Sequence, residues 1–167
     1  MNAKREGEPT RNPLPFVERK SDREVVVRRT VNAPARIVFE AWTKPELFKR
    51  WWVPKSAGVT MLGCDMDVRT GGGYRLKFAL SSGQEMEFFG KYLEVTPPRR
   101  LVWTNEEGGE GGAITTVSFE EQGGQTHLVI HDLYPSKEAL EEGLASGALD
   151  GMPETLQQLE DLLASLA

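Results

Sequence analysis

Apolar positions along this chain switch between two spacings, and each switch marks a change of element. Val25-Val26-Val27 and Val31 form a β-branched run that predicts a strand beginning near Glu24. Asn32-Ala33-Pro34 ends it. Val38, Ala41 and Trp42 then share one helical face, and Leu47 and Trp51, four apart, share another. Pro45 suits the first turn of that second helix, where a missing N–H costs nothing, and Pro54 stops it. Three of the four tryptophans lie in this stretch, so something large must cover it.

From Val59 to Val68 a further strand is expected, although its alternation is poor. Arg69-Thr70-Gly71-Gly72-Gly73 marks a turn or bulge. Tyr74, Leu76, Phe78 and Leu80 then alternate with Arg75, Lys77 and Ala79, the pattern of a half-buried strand. Ser81-Ser82-Gly83-Gln84 turns the chain into a strand over Glu85 to Val95, in which Met86 and Phe88 share a face. The apolar positions change parity to Leu93 and Val95, which a bulge at Gly90 would produce. Pro97-Pro98 breaks the chain before Arg100 to Asn105, where Leu101 and Trp103 face one way. Ile114 to Glu120 and Thr126 to Asp132 predict a last hairpin around Gln122-Gly123-Gly124. Ser136, Glu138 and Glu141 open a helix carrying Leu140, Leu144 and Ala148. Asp150 can cap a second helical segment with the stripe Met152, Leu156, Leu159, Leu163 and Leu166, and Gly151 and Pro153 imply a break between the two. A strand, two short helices, an antiparallel meander and a long helix define an α+β fold, because only the terminal helix can cover the apolar face of such a sheet.

Residues 1–22 are polar and punctuated by Pro9, Pro13 and Pro15, which predicts a flexible segment ahead of a single domain over 23–167. The composition narrows the function classes. Asp+Glu number 25 against Lys+Arg 20, for a net charge of −5, and no basic stripe points to nucleic acid. The single cysteine, Cys64, excludes an internal disulfide and a cysteine-rich zinc site. No apolar run has membrane-spanning length and Met1 to Lys20 has no signal-peptide core, so a cytoplasmic protein without membrane insertion is expected. His127 and His131 share one strand face but lie roughly 13 Å apart at strand rise, too far to ligate one metal together. Glycines from Gly108 to Gly112 lack the Lys-Ser/Thr of a phosphate loop. Asp65 beside Cys64 does not favour a thiolate, so a structural cysteine is expected. No catalytic constellation, metal site or cofactor motif is present in the sequence.

Taken together, the layout and its local residues resemble the helix-grip fold of the SRPBCC (START-like, Bet v 1-like) superfamily. Within it, the chain is similar to the family named for the activator of the ninety-kilodalton heat-shock-protein ATPase. The likeness runs over residues 24–166. It rests on Ala33-Pro34, Val38-Phe39, Ala41-Trp42-Thr43, Pro45 and Trp51-Trp52, then Arg69, Gly71-Gly72, Gly90, Tyr92, Glu94-Val95, Pro97-Pro98 and Leu101, and finally Phe119-Glu120-Glu121, Leu159 and Leu163. Many relatives open the last helix with Gly-Trp, where this chain has Gly151-Met152. Arg69 and Glu94 belong to the family pattern and are expected to pair with one another or with backbone.

The resemblance implies a curved antiparallel sheet of about six or seven strands around a long C-terminal helix, with two short helices after the first strand. It further implies an apolar cavity between sheet and C-terminal helix. Wall candidates are Phe78, Met86, Phe88, Trp103, Leu144 and Met152, with Trp103 and Met152 on opposing walls. The expected function is non-catalytic binding of a small hydrophobic molecule such as a lipid or polyketide. A cyclase- or hydratase-like enzyme using Tyr74 or Tyr92 is one alternative. A chaperone-interacting adaptor that stimulates a heat-shock ATPase is another, although residues 1–22 are too short for the co-chaperone's extra N-terminal domain. A homodimer is compatible with each.

Overall fold

Alternation and helical spacing translate into eight strands and four helices in the computed structural model, which describes residues 16–107, 109, 111–147 and 149–166. The strands are β1 (Val17–Arg19) and β2 (Glu24–Val31), then, after the first helices, β3 (Thr60–Met66), β4 (Gly73–Ala79), β5 (Glu85–Thr96), β6 (Arg100–Thr104), β7 (Ile114–Gln122) and β8 (Gln125–Leu133). The helices are α1 (Ala35–Thr43), α2 (Pro45–Phe48), α3 (Lys137–Ala145) and α4 (Met152–Leu166), and one 3-10 turn spans Lys55–Ala57. All strands pair antiparallel in the order β1-β2-β8-β7-β6-β5-β4-β3. The fold is the expected α+β arrangement, a sheet with a C-terminal helix and two short helices after a strand.

The sheet gains an eighth strand where a flexible segment was expected. Val17 pairs with Val27 and is 4% exposed, so Val17–Arg19 adds an edge strand to β2. Its one apolar residue was too little for a sequence pattern to register. Residues 1–15 of the expected segment lie outside the described residues.

Inward parity builds the core. Val25, Val27 and Val31 of β2, Val117 and Phe119 of β7, and Leu128 and Ile130 of β8 are all buried in one cluster. On the opposite face of β4 and β5, Arg75 pairs with Glu87 at 2.6 Å and Lys77 with Glu85 at 3.1 Å, exposed pairs that each contribute little. Leu156, Leu159, Leu162 and Leu163 of α4 complete the core. Ser136 caps α3 by accepting from the Ala139 N–H at 3.0 Å, and the chain breaks between α3 and α4 as Gly151 and Pro153 predict. Ala148 falls outside the described residues.

Two local expectations change. The parity shift in β5 is not at Gly90: pairing with β6 slips between Tyr92 and Glu94, and Leu93 is pushed outward to 48% exposure. Gly90 serves close approach instead, since a Cβ there would lie 2.0 Å from the Thr104 carbonyl oxygen. The second helix also ends at Phe48 rather than running to Pro54.

Candidate functional site

The tryptophan-rich stretch folds around one proline. Pro45 disfavours helix at the residue before it, and Lys44 is accordingly extended at φ −97° and ψ 118°. α1 stops there. Pro45 also lacks the N–H that would have bonded the Ala41 carbonyl in a continuing helix. The indole N–H of Trp51 takes that place, donating to the Ala41 oxygen at 2.9 Å. Beyond Phe48 the backbone tightens to i to i−3 bonds, Arg50 N–H to the Leu47 carbonyl and Trp51 N–H to that of Phe48, and α2 ends there. Trp42 sits beside it with ring centroids 4.8 Å from Trp51, 5.7 Å from Trp52 and 6.1 Å from Trp103. Phe48 stacks on Trp52 at 4.8 Å. The Trp42 indole N–H is buried and has no hydrogen-bond partner among the described residues.

Helix α4 holds the loop after Trp51 by its backbone. Gln158 Nε2 donates to the carbonyls of Trp51 at 3.0 Å and Val53 at 2.8 Å, while its Oε1 accepts from the Lys55 N–H at 2.9 Å. Glu154 accepts from the Ser56 N–H at 3.0 Å and from the Ser56 hydroxyl. These bonds hold the Glu154 carboxyl below its usual range.

Under this clamped loop lies an apolar cavity. It has about 490 Å³ of atom-free space counting its mouth, and about 60 Å³ in which the centre of a water molecule fits. One wall comes from the first helices and their loop: Trp42, Phe48 and Trp52. The other comes from the inner face of β3 to β6: Met66, Tyr74, Leu76, Phe88, Tyr92, Leu101 and Trp103, with Asn105 just beyond β6. No residue of α3 or α4 lines it, so the cavity is not where the fold resemblance put it, between sheet and C-terminal helix. That half of the interior is closed by Leu140, Leu156 and Leu159, each 2% exposed or less.

Of the six wall candidates, Phe88 and Trp103 line the cavity. Phe78 is buried with its ring 5.4 Å from that of Phe88, and Met86 pairs with Phe78 further along the sheet. Leu144 of α3 and Met152 of α4 are partly buried against the core, and neither lines this cavity. Trp103 and Met152 therefore do not oppose one another across it.

The polar atoms of the site form a short chain that the apolar pattern did not reveal. Asn105 Nδ2 donates to the Ala113 carbonyl and to Thr115 Oγ1, both at 3.0 Å. Thr115 donates to Asp132 Oδ1 at 2.5 Å. Trp103, Thr115, Asp132 and Val25 are successive cross-strand partners in one row, so Asp132 shares inward parity with buried Leu128 and Ile130. Burial pushes its carboxyl up from the ordinary carboxylate value. Tyr74 donates to the Thr104 carbonyl at 2.7 Å, with its ring 5.7 Å from that of Tyr92. Burial raises both phenols, so each stays protonated. A signal for these residues existed: Asn105 continues the parity of Leu101 and Trp103, and Asp132 that of Leu128 and Ile130.

The remaining candidates take other roles. His131 Nε2 lies 2.8 Å from Glu24 Oε1, and His127 Nδ1 lies 3.2 Å from Thr30 Oγ1, both on the outer face. The bond from His131 holds the Glu24 carboxyl below its usual range. Arg69 and Glu94 do not pair with each other: Arg69 bonds Asp67 at 3.0 Å and Glu94 bonds Arg100 at 3.2 Å, because the shift at Leu93 turns Glu94 toward β6. Cys64 is partly buried, and burial raises its thiol. Among the described residues, no group of three or more His, Cys, Asp or Glu could hold a metal ion, and no helix is long and apolar enough to cross a membrane.

Comparison with known proteins places this geometry in a family. The model of the family described as "Activator of Hsp90 ATPase homolog 1-like protein" matches residues 32–164. No curated protein matches the chain. Among solved structures, a protein from Rhodobacter sphaeroides superposes with a TM-score of 0.82 at 24% identity, over 90% of this chain and 98% of that one. One from Staphylococcus epidermidis is 30% identical over 90% of this chain and 94% of that one, with a TM-score of 0.74. An AHSA1-like protein from Aeromonas hydrophila shares 19% identity over 86% and 93% of the two chains, with a TM-score of 0.68.

Proposed function

The chain belongs to the activator of Hsp90 ATPase homolog 1-like family, and from that footing we propose that it binds a small hydrophobic molecule, without turnover, in the cavity beneath Trp42 and Trp52. The observation that supports this is the wall itself. Trp42, Phe48, Trp52, Tyr74, Phe88, Tyr92 and Trp103 are seven aromatic residues among eleven that line the cavity. A protein interior normally closes to crystal-like density, so an aromatic-walled space left open favours an occupant. Its size sets the class. With only about 60 Å³ open to the centre of a water molecule, the space suits a compact ring system better than a long acyl chain.

Native mass spectrometry of protein purified without added ligand, together with a screen of lipids, flavonoids and polyketides followed at the Trp42, Trp52 and Trp103 indole N–H resonances, tests it. We expect one class to shift those resonances. A screen in which no compound moves any of them overturns the proposal.

Tyr74 and Tyr92 in the wall support a second reading, a cyclase- or hydratase-like enzyme. Both phenols stay protonated, so each can donate a proton or a hydrogen bond but neither serves as a base at neutral pH. Incubating the protein with any bound compound and looking for a product of changed mass separates turnover from binding.

A further inference from the structure

We propose that Asn105 selects the occupant of this cavity, accepting a hydrogen bond from a neutral, planar ring compound that carries a hydroxyl or N–H donor. The inference rests on the binding reading above and adds the chemistry of what is bound.

The orientation of the Asn105 amide is fixed twice over. Its two N–H protons go to the Ala113 carbonyl and to Thr115 Oγ1, and Thr115 spends its single proton on Asp132. Turning the amide over would set its oxygen against the Ala113 carbonyl oxygen. Oδ1 is thus held on the side away from Ala113 and Thr115. The nearest donor to it is the Tyr74 hydroxyl at 3.5 Å, but that proton is already given to the Thr104 carbonyl at 2.7 Å. Asn105 Oδ1 and the Tyr74 oxygen, 3.5 Å apart, thus belong to the two residues that bring acceptors to an otherwise apolar, aromatic wall. Asn105 is half-buried and its Oδ1 has only the long 3.5 Å contact with Tyr74, so a ligand donor would give it a stronger bond than it now has.

Charge narrows the class further. None of the eleven lining residues is Lys, Arg or His. A carboxylate entering this space would lose its hydration with no cation to replace it. The flat aromatic faces of Trp42, Trp52 and Trp103 suit a planar ring.

Isothermal titration of the full chain at neutral pH with three probes of one shape tests this: 2-naphthol, 2-methoxynaphthalene and 2-naphthoate. We expect 2-naphthol to bind up to about tenfold tighter than its methyl ether, the step that one gained hydrogen bond produces. We expect 2-naphthoate to bind weakest. In Asn105→Leu, checked for folding by its amide spectrum, the naphthol-to-ether ratio should fall to about one. Equal affinities for naphthol and ether, tightest binding by naphthoate, or a folded Asn105→Leu that keeps the ratio would each overturn the selection while leaving ligand binding intact. If neither neutral probe binds or shifts the cavity indoles, the binding reading falls and this inference with it. Should Asn105→Leu fail to fold, the three-probe series on the unaltered chain still decides.

Discussion

Two buried tryptophans in van der Waals contact should respond unequally to the same substitution. Trp51 and Trp42 are 0% and 2% exposed with ring centroids 4.8 Å apart, so replacing either indole by a phenyl ring removes similar apolar area. Full truncation of such a residue to alanine costs about 3–5 kcal/mol, and losing one ring of two costs a fraction of that, about 1–2 kcal/mol. For Trp42→Phe this is the whole expected loss, because its indole N–H bonds nothing among the described residues. For Trp51→Phe a second loss is added. The Ala41 carbonyl, already deprived of its helical partner by Pro45, is left unpaired in a residue that is 0% exposed. An orphaned buried acceptor costs about 1–3 kcal/mol. Urea unfolding followed by far-ultraviolet circular dichroism should therefore place Trp51→Phe about 1–3 kcal/mol below Trp42→Phe, with unchanged slopes. Losses equal to within about 0.5 kcal/mol, well below the smallest orphan penalty, would refute the role assigned to Trp51.

Other substitutions test neighbouring parts of the site. Trp103→Ala already borders open space, so it should cost no more than about 3 kcal/mol, the low end for a buried tryptophan, and should weaken ligand binding. Met152→Ala, away from the cavity, should leave ligand affinity within about twofold, since it touches none of the hydrogen bonds or rings that hold a ligand; a larger loss would move the site toward α4. Gln158→Ala frees two carbonyls and one N–H of the loop over 51–55, and should lower stability by about 1–2 kcal/mol while speeding amide exchange at Lys55; unchanged exchange would mean that the clamp is idle. Asp132→Asn should raise stability in a pH-dependent way. Burial lifts this carboxyl above its ordinary 3.8, against weaker opposing effects from Thr115 and His131, so the folded chain holds the proton more tightly than the unfolded one. That contribution is complete below pH 3.8 and is lost as pH rises through the raised value. The gain from the amide should thus appear above that window and vanish below it, and urea midpoints that show the reverse trend would mean the carboxyl is stabilised as an anion.

The sheet was legible in the sequence because each strand had to bury one face, and alternation such as Leu76 with Phe78 or Leu128 with Ile130 records that directly. Where the cavity sits was not legible. It depends on which half of the interior is filled, and that is decided by contacts far apart in sequence: Leu156 and Leu159 closing one half, and the Pro45–Ala41–Trp51 arrangement propping the other. Leu93 was misjudged for a similar reason, since a slipped pairing across β5 and β6 leaves no mark on the composition of either strand. Asn105, Thr115 and Asp132 are the instructive case. Apolar runs end at polar residues, so a search for hydrophobic walls stops at Trp103, two positions short of Asn105, and two positions past Ile130 finds only an acid. Inward parity nevertheless continues through all three. Any one of them alone on that face would be a buried polar group with an unmet hydrogen bond, a cost of about 1–3 kcal/mol. Together they bond one another, and Asn105 is the member of the chain that lines the space the aromatic residues leave open. A fold selected for stability alone would have filled that row with valine and leucine, as it did at Val117 and Leu128 on the same two strands. Three linked polar residues at the edge of an aromatic cavity give that edge a hydrogen-bonding capacity that an all-apolar row would lack.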